Sequence, residues 1–374
     1  MFVINFGVYI HWPFCRSKCP YCDFVSLPAK NFDFNAWKSA YAASLKSYAG
    51  RLSDKTVASI FFGGGTPSLM SAELVSFVIE TIKSLWPVAE ETEISMEVNP
   101  CSVDYEKMTA FRKAGVNRLS VGVQSLNDKS LKFLGRLHTA EQALEILKTA
   151  KTIFPRLSAD FIYALPDQSL SDWQNELSAI LELNLKHLSL YQLTIEEGTF
   201  FYKKGVRPVE DDLAADMFEL TDRMMYQAGL ERYEVSNHAA PGHECKHNLL
   251  YWQGGEWIGI GPAAHGRFTI GGQFHAVAQN STPQKWLETQ ACEETTLSTT
   301  EKAQELIFMA LRTREGLDRN TFCSRIGKQP EEFMHEGTLQ DYQTDGFLIC
   351  DKKGLRTTAK GLMILNALCR TLLK

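Results

Sequence analysis

Positive charge is not in excess in this 374-residue chain: 39 Lys and Arg stand against 44 Asp and Glu, a formal net charge of −5. Such a balance supplies no basic field for tracking phosphates along nucleic acid or for holding an anionic membrane surface. Long apolar runs are lacking too, and none approaches the roughly 18–20 residues a helix needs to cross a bilayer. The opening Met1-Phe2-Val3-Ile4-Asn5-Phe6 has no charged n-region and no cleavage site, so no secretory leader is expected. Cysteines number nine, an odd count in a chain too long to need staples, which argues against a disulfide framework. With 44% apolar and 22% charged residues, the composition is that of a globular protein. A reducing compartment, the cytoplasm, is the expected location. The length allows a main domain of about 230–250 residues and a smaller one.

Against that background Cys15, Cys19 and Cys22 stand out, three thiols within eight residues at spacing C-x3-C-x2-C. Thiolates are soft ligands suited to iron–sulfur clusters or zinc, and close spacing lets one loop wrap one site. Three ligands cannot close a four-iron cluster, so one iron would stay open, as a catalytic metal site requires. The competing reading is a zinc knuckle completed by His11 or Cys101. Structural zinc sites favour paired C-x2-C or H-x3-H elements, however, and no second pair is present. Cys101, Cys245, Cys292, Cys323, Cys350 and Cys369 are scattered and read as small buried hydrophobes or inert thiols.

From Val8 to about Val235, short apolar runs alternate with helix-period segments. The runs are Val8–His11, Val57–Phe62, Glu93–Val98, Arg118–Val123, Leu157–Tyr163 and His187–Leu193. Helices are expected at Ser71–Trp86, Thr139–Lys151, Leu170–Leu183 and Asp212–Ala228. Six strand–helix units in succession predict an α/β fold with a parallel sheet, because parallel strands require crossovers. The expected divisions are residues 1–236, a connecting region at 237–298 with a polar linker at Gln279–Pro283, and a C-terminal domain at 299–374. In that last part a helix at Glu301–Thr313, a hairpin at Asp345–Thr357 and a helix at Thr358–Leu373 suggest an α+β, winged-helix-like module. Its twelve Lys and Arg against ten Asp and Glu are too balanced for DNA, so it reads as a cover or docking domain.

Gly63-Gly64-Gly65-Thr66 follows the second predicted strand. Such a turn lets backbone approach a ligand, although a plain tight turn has the same look, and no Gly-Lys-Ser/Thr makes it a phosphate loop. Glu97, Gln124 and Asp160 lie at or near the ends of successive strands, with Arg136 just beyond. Sites of barrel-type α/β enzymes gather at the C-terminal strand ends, whereas salt bridges inside the barrel are the structural alternative. His138 and His187 are given no role.

The stretch Tyr9-Ile10-His11-Trp12-Pro13-Phe14-Cys15, with Cys19-Pro20-Tyr21-Cys22-Asp23-Phe24 after it, resembles the radical S-adenosylmethionine (SAM) superfamily. Within it, the chain resembles the oxygen-independent coproporphyrinogen III oxidase family and its HemW-type relatives, over nearly the whole length. The resemblance implies an open, partial (β/α)6 barrel. It also implies a [4Fe–4S] cluster on Cys15, Cys19 and Cys22 whose open iron takes the amino and carboxylate groups of SAM. By the same resemblance Tyr9, Gly64, Gly65 and Thr66 contact SAM, Glu97 faces its ammonium, Gln124 and Asp160 its ribose, and Arg136 a carboxylate. The oxidases carry one more cysteine two places after the third, where this chain has Phe24, and a long extension ahead of the motif. Both departures match the HemW-type branch and put a coproporphyrinogen oxidase activity, decarboxylation of porphyrinogen propionates, in doubt. Lys246-His247-Asn248-Leu249-Leu250-Tyr251-Trp252 resembles the H-N-x-x-Y-W motif of that branch. The implied function is a heme chaperone. His247, Asn248, Tyr251 and Trp252 would receive heme, with His238, His243 and Cys245 as alternative iron ligands. Heme would pass to acceptor apo-proteins, membrane-associated respiratory enzymes being one class. Read without the resemblance, His247 beside aromatics is an ordinary hydrogen-bonded core histidine.

Overall fold

A computed structural model of the chain describes residues 6–29 and 31–374. Its centre is six parallel strands in sequence order: Phe6–Trp12, Val57–Gly64, Val88–Val98, Arg118–Gln124, Arg156–Tyr163 and His187–Gln192. Each coincides with a run expected from the sequence. Helices lie outside, and their starts are chemically marked. Ser71 accepts the Leu74 amide at 3.2 Å to open Ala72–Leu85. Thr139 with Gln142, and Ser169 with Asp172, form capping boxes for Ala140–Ile153 and Leu170–Glu182. Two further helices, Phe34–Ala49 and Tyr105–Ala114, were not singled out by periodicity. The buried stripe of the first is Trp37, Ala40, Tyr41, Ser44, Leu45 and Tyr48. Its helical spacing is carried partly by small and polar residues, which mute an apolar count.

Strand alternation sorts side chains between two environments. On the first strand Phe6, Val8, Ile10 and Trp12 enter the main core beneath the helices, whereas Tyr9 joins Phe61, Tyr233 and Cys245 on the inner side. That inner side is strongly polar: Glu93, Arg118, Ser158 and His187 are all buried. The first and sixth strands are not paired, so the six-stranded unit stays open.

Both of its edges continue the same sheet. Glu256–Ile260 pairs parallel to the first strand, and His265–Ile270, Gln273–Gln279 and Cys292–Leu297 follow as an antiparallel ribbon. Beyond the sixth strand lie Asn237–Ala239 and Glu231–Glu234. The stretch expected as a connecting region therefore contributes strands, and the expected polar linker begins on a buried residue. Gln279 donates to Tyr48 Oη at 2.9 Å and accepts from Trp286 Nε1 at 2.9 Å. A buried amide with partners on both sides is a packing element rather than a solvated tether.

The C-terminal part has its own core, with Leu306, Ile307, Phe322, Leu339, Leu355 and Leu368 among its members. Its helices Thr299–Ala310, Arg319–Ile326 and Glu336–Thr344 pack with a three-stranded sheet of Leu317–Asp318, Gly354–Thr357 and Leu348–Cys350, a winged-helix-like arrangement. The expected last helix is broken at Ile364 into Ala359–Met363 and Leu365–Leu372. Among the described residues, no helix is long and apolar enough to cross a membrane.

Candidate functional site

The cysteine loop leaves the first strand at Pro13 and is tied down locally. Phe14–Cys15 pairs with Leu27–Pro28, and the Cys22 amide donates to Cys19 O at 3.2 Å. The glycine turn holds it from the other side: Gly65 N donates to Trp12 O at 2.7 Å and Thr66 N to Phe14 O at 2.8 Å. A Cβ on Gly65 would sit 2.7 Å from Phe14 O, and one on Gly64 (φ +108°) would sit 2.7 Å from the His11 ring, so a side chain at either position would break the seam. Gly64 N donates to Glu97 Oε2 at 3.2 Å. All three amides are thus used within the protein. With its amides so engaged, the turn offers no cradle of N–H donors to a phosphate.

One cavity of about 380 Å³ opens at the C-terminal strand ends. It is lined by Cys15, Cys19 and Cys22 together with Gly64, Gly65, Thr66, Glu97, Gln124, Arg136 and Asp160. Residues spread over more than a hundred positions of sequence meet on one surface. Gln124 reaches it through a backbone irregularity: the strand register slips between Gly122 and Gln124, and Gln124 holds φ +75°. A bulge and a left-handed non-glycine residue at a strand end are familiar ways to re-aim a side chain at a site.

The cavity carries little compensating charge for its carboxylates. Burial pushes the Glu97 carboxyl up to about 8, the neighbouring Asp160 charge adding to the effect and the Gly64 amide opposing it. Asp160 is also raised by burial, although Ser120 Oγ donates to both its oxygens at 2.9 and 3.1 Å. Arg118 eases both carboxyls without overcoming their burial, so the pair leaves room for a cationic ligand. On the other wall, Arg136 Nη1 donates to Cys19 Sγ at 3.4 Å and Nη2 to Gly122 O at 2.8 Å, while its buried Nε has no partner. Thr66 Oγ1 donates to Cys15 Sγ at 3.3 Å.

These observations fit a cluster with a SAM-like ligand. The three thiols are free and face one cavity, yet among the described residues no three His, Cys, Asp or Glu side chains converge tightly enough to hold a single ion. A cluster spreads its irons and takes one sulfur each, whereas zinc needs its ligands on one point. His11 is committed elsewhere, with Nε2 3.1 Å from Val25 O and Nδ1 3.3 Å from Tyr9 Oη.

Tyr9 does not line the cavity; its ring stacks with Phe61 and with His247. The structure also adds lining residues that motif reading passed over: Tyr21, Asn99, Ser120, Tyr191, Thr194 and Glu196. Ser120 was findable from alternation, since it is two positions before Gly122 on the same strand face. Tyr191 and Thr194 needed the curvature of the sheet.

The motif Lys246–Trp252 is a short helix lying across the inner face at the opposite end of the strands. His247 is buried, with Nδ1 2.8 Å from Ser59 Oγ and Nε2 2.5 Å from Tyr251 Oη. Burial lowers its pKa to about 3, so the ring is neutral. With both nitrogens engaged, neither is free for iron in this arrangement, and the expected grouping of His247, Asn248, Tyr251 and Trp252 around an open heme face is not formed. Cys245 is likewise buried, its Sγ 3.4 Å from Glu93 Oε1. His238 is buried beside Asp222 at 3.7 Å.

Comparison with known proteins gives a consistent picture. The Radical SAM superfamily model matches residues 9–180, and the HemN C-terminal domain model matches residues 297–364. Radical S-adenosyl methionine domain-containing protein 1, mitochondrial, of Bos taurus is 35% identical over 98% of this chain and 87% of that protein. Heme chaperone HemW of Escherichia coli (strain K12) is 34% identical over 97% of this chain and 96% of that protein. Among solved structures, coproporphyrinogen III oxidase (HemN) from Escherichia coli, a radical SAM enzyme, superposes with TM-score 0.82 at 21% identity, covering 98% of this chain and 89% of that one. That last likeness establishes the fold.

Proposed function

The chain belongs to the radical SAM superfamily, in its HemN-like, HemW-type branch, and on that premise we propose that it is a heme chaperone carrying a SAM-ligated [4Fe–4S] cluster. The observation that carries the choice of chaperone over oxidase is Phe24. It lines the cavity at the place where the oxidases have a further cysteine, and it is 57% exposed. An exposed aromatic ring at a cofactor mouth offers apolar contact where a thiol would offer a ligand or a redox group. Full-length likeness to a heme chaperone points the same way.

Cys15, Cys19 and Cys22 would hold the cluster, which when bound supplies an electron store with one open coordination position. The remaining groups bind and orient SAM. Glu97 takes the ammonium and surrenders its proton as it does so, Gln124 and Asp160 receive the ribose hydroxyls, and Arg136 presents its unpaired Nε to the carboxylate. Heme belongs at Lys246–Trp252, where His247 would ligate iron and Tyr251 and Trp252 would cover the ring. Loading there requires the imidazole to part from Ser59 on the barrel floor or from Tyr251 one turn on in its own helix, because the two otherwise hold both ring nitrogens. The acceptors are apo-proteins, with membrane-associated respiratory enzymes as one class. The free state of all nine cysteines supports a reducing, cytoplasmic setting.

Two measurements on one reconstituted preparation test this. Hemin titration followed by absorbance, with and without the cluster, should give saturable binding. Incubation with reductant, SAM and coproporphyrinogen III should leave the substrate intact. Stoichiometric protoporphyrinogen would establish the oxidase, and absence of saturable hemin binding would remove the chaperone.

A further inference from the structure

Arg136 joins three parts of the molecule. Its backbone amide donates to Leu131 O at 2.9 Å at the end of the short helix Asp128–Phe133, fixing where the side chain starts. One terminal nitrogen then reaches Gly122 O at the strand bulge, and the other reaches Cys19 Sγ. Nε is left buried, without a hydrogen-bond partner among the described residues, on a residue that lines the cavity. A guanidinium has five N–H donors in a rigid fork, so one cation can serve a thiolate on one edge and a carboxylate on another. Thr66 makes a second, neutral contact of the same kind, to Cys15 Sγ.

We propose that Arg136 is a positioning residue that couples the cluster to its ligand, donating to the Cys19 sulfur and to the SAM carboxylate at once, and so sets the cluster's reduction potential. This rests on the cofactor reading above and goes beyond it, because a simple carboxylate clamp would not touch the cluster. Adding an electron raises the negative charge on the thiolate sulfurs, and a cationic donor beside one of them stabilises that state. Removing it makes the cluster harder to reduce. Coupling is reciprocal, so any change in potential on binding SAM has its counterpart in a change of SAM affinity on reduction.

The test is an anaerobic redox titration of the reconstituted full chain, monitored by electron paramagnetic resonance with and without SAM, using dithionite as reductant. SAM binding is followed separately by calorimetry. Arg136→Gln should shift the reduction equilibrium at least tenfold toward the oxidised cluster, about 59 mV for a one-electron couple. It should also weaken SAM binding and shrink the SAM-induced change in potential. Thr66→Val should move the potential in the same direction by less. Should Arg136→Gln fail to assemble a cluster, Arg136→Lys is read instead; it keeps the charge without the fork and should fall between wild type and that prediction. A variant with the wild-type potential overturns the proposal while leaving the cofactor reading in place. A lowered potential with unchanged SAM affinity overturns the coupling. A wild-type chain without a reducible four-iron signal overturns the cofactor reading and the proposal together.

Discussion

Glu97 shows how a single residue can be fitted to an absent cation. Burial beside Asp160 lifts its carboxyl to about 8, so at neutral pH it is mostly protonated until a positive group arrives. An ammonium brought against it restores the carboxylate. Binding SAM near pH 7 should therefore release close to one proton, read by calorimetry in buffers of different ionisation heat, and Glu97→Gln should bind more weakly with no release. Stability follows the same linkage. A carboxyl raised on folding favours the native state at low pH, and that contribution fades as pH climbs from about 4.3 toward the folded value. Melting temperature of the ligand-free protein should fall between pH 5 and about pH 8, and fall less in Glu97→Gln. Equal slopes for the two proteins would mean that Glu97 is already paired within the fold.

At the scale of an element, the helix Lys246–Trp252 is held by groups that are not its own. It has no side-chain N-cap, and Glu93 supplies one from the third strand, accepting the His247 amide at 3.4 Å. Arg118 and Arg156 lie 3.9 and 3.5 Å from the same carboxylate, a cationic pairing that a buried Glu93 requires. Seven residues make a marginal helix in isolation, so this segment exists because the floor of the barrel receives it. His247→Ala removes a buried ring and leaves Ser59 and Tyr251 without that partner, a loss of about 2–4 kcal/mol by chemical denaturation. If the same histidine ligates heme, the variant must also show an altered Soret band and weaker hemin binding with cluster content intact. Lost stability with an unchanged titration would confine His247 to packing.

Over the whole molecule, the C-terminal part closes on this same helix. Arg325 donates to Gln253 O at 2.9 Å and to Gly254 O at 2.8 Å, capping its carbonyl end, and Leu306 packs so close that a Cβ on Gly254 would lie 2.1 Å from it. Arg267 and Glu305, 2.9 Å apart, bind the extended sheet to the helix Thr299–Ala310. The winged-helix-like part thus packs against the carbonyl end of the motif helix and can act as a clamp on it. Arg325→Ala should cost about 1–3 kcal/mol through the lost charged hydrogen bonds. Hydrogen exchange should rise across Lys246–Gly254 while iron content stays at wild-type level. Unchanged exchange in that segment would show that the clamp lies elsewhere.

The six parallel strands were legible in the sequence, because each is a short apolar run set off by a crossover, three of whose helices open on Ser71, Thr139 and Ser169 caps. So was the cysteine loop, since three thiols that close along the chain need no tertiary help to meet. The polar residues at strand ends were legible one at a time; that Glu97, Gln124, Arg136 and Asp160 share one cavity follows from the curvature of the sheet, which periodicity does not encode. That Glu256–Ile260 joins the first strand was visible in the folded chain alone, because a five-residue strand among glycines gives no local signal of its partner. The fold likewise decided that Arg136 reaches a cysteine sulfur, a contact 117 residues apart along the chain. His247 is the sharpest case. Its motif names a ligand-type residue, but availability to iron depends on who holds the two ring nitrogens: Tyr251 does so from one turn on in the same helix, whereas Ser59 is brought there by where the helix packs. Local chemistry fixes which atoms can bind, and the packing of distant elements fixes which of them are free to do so.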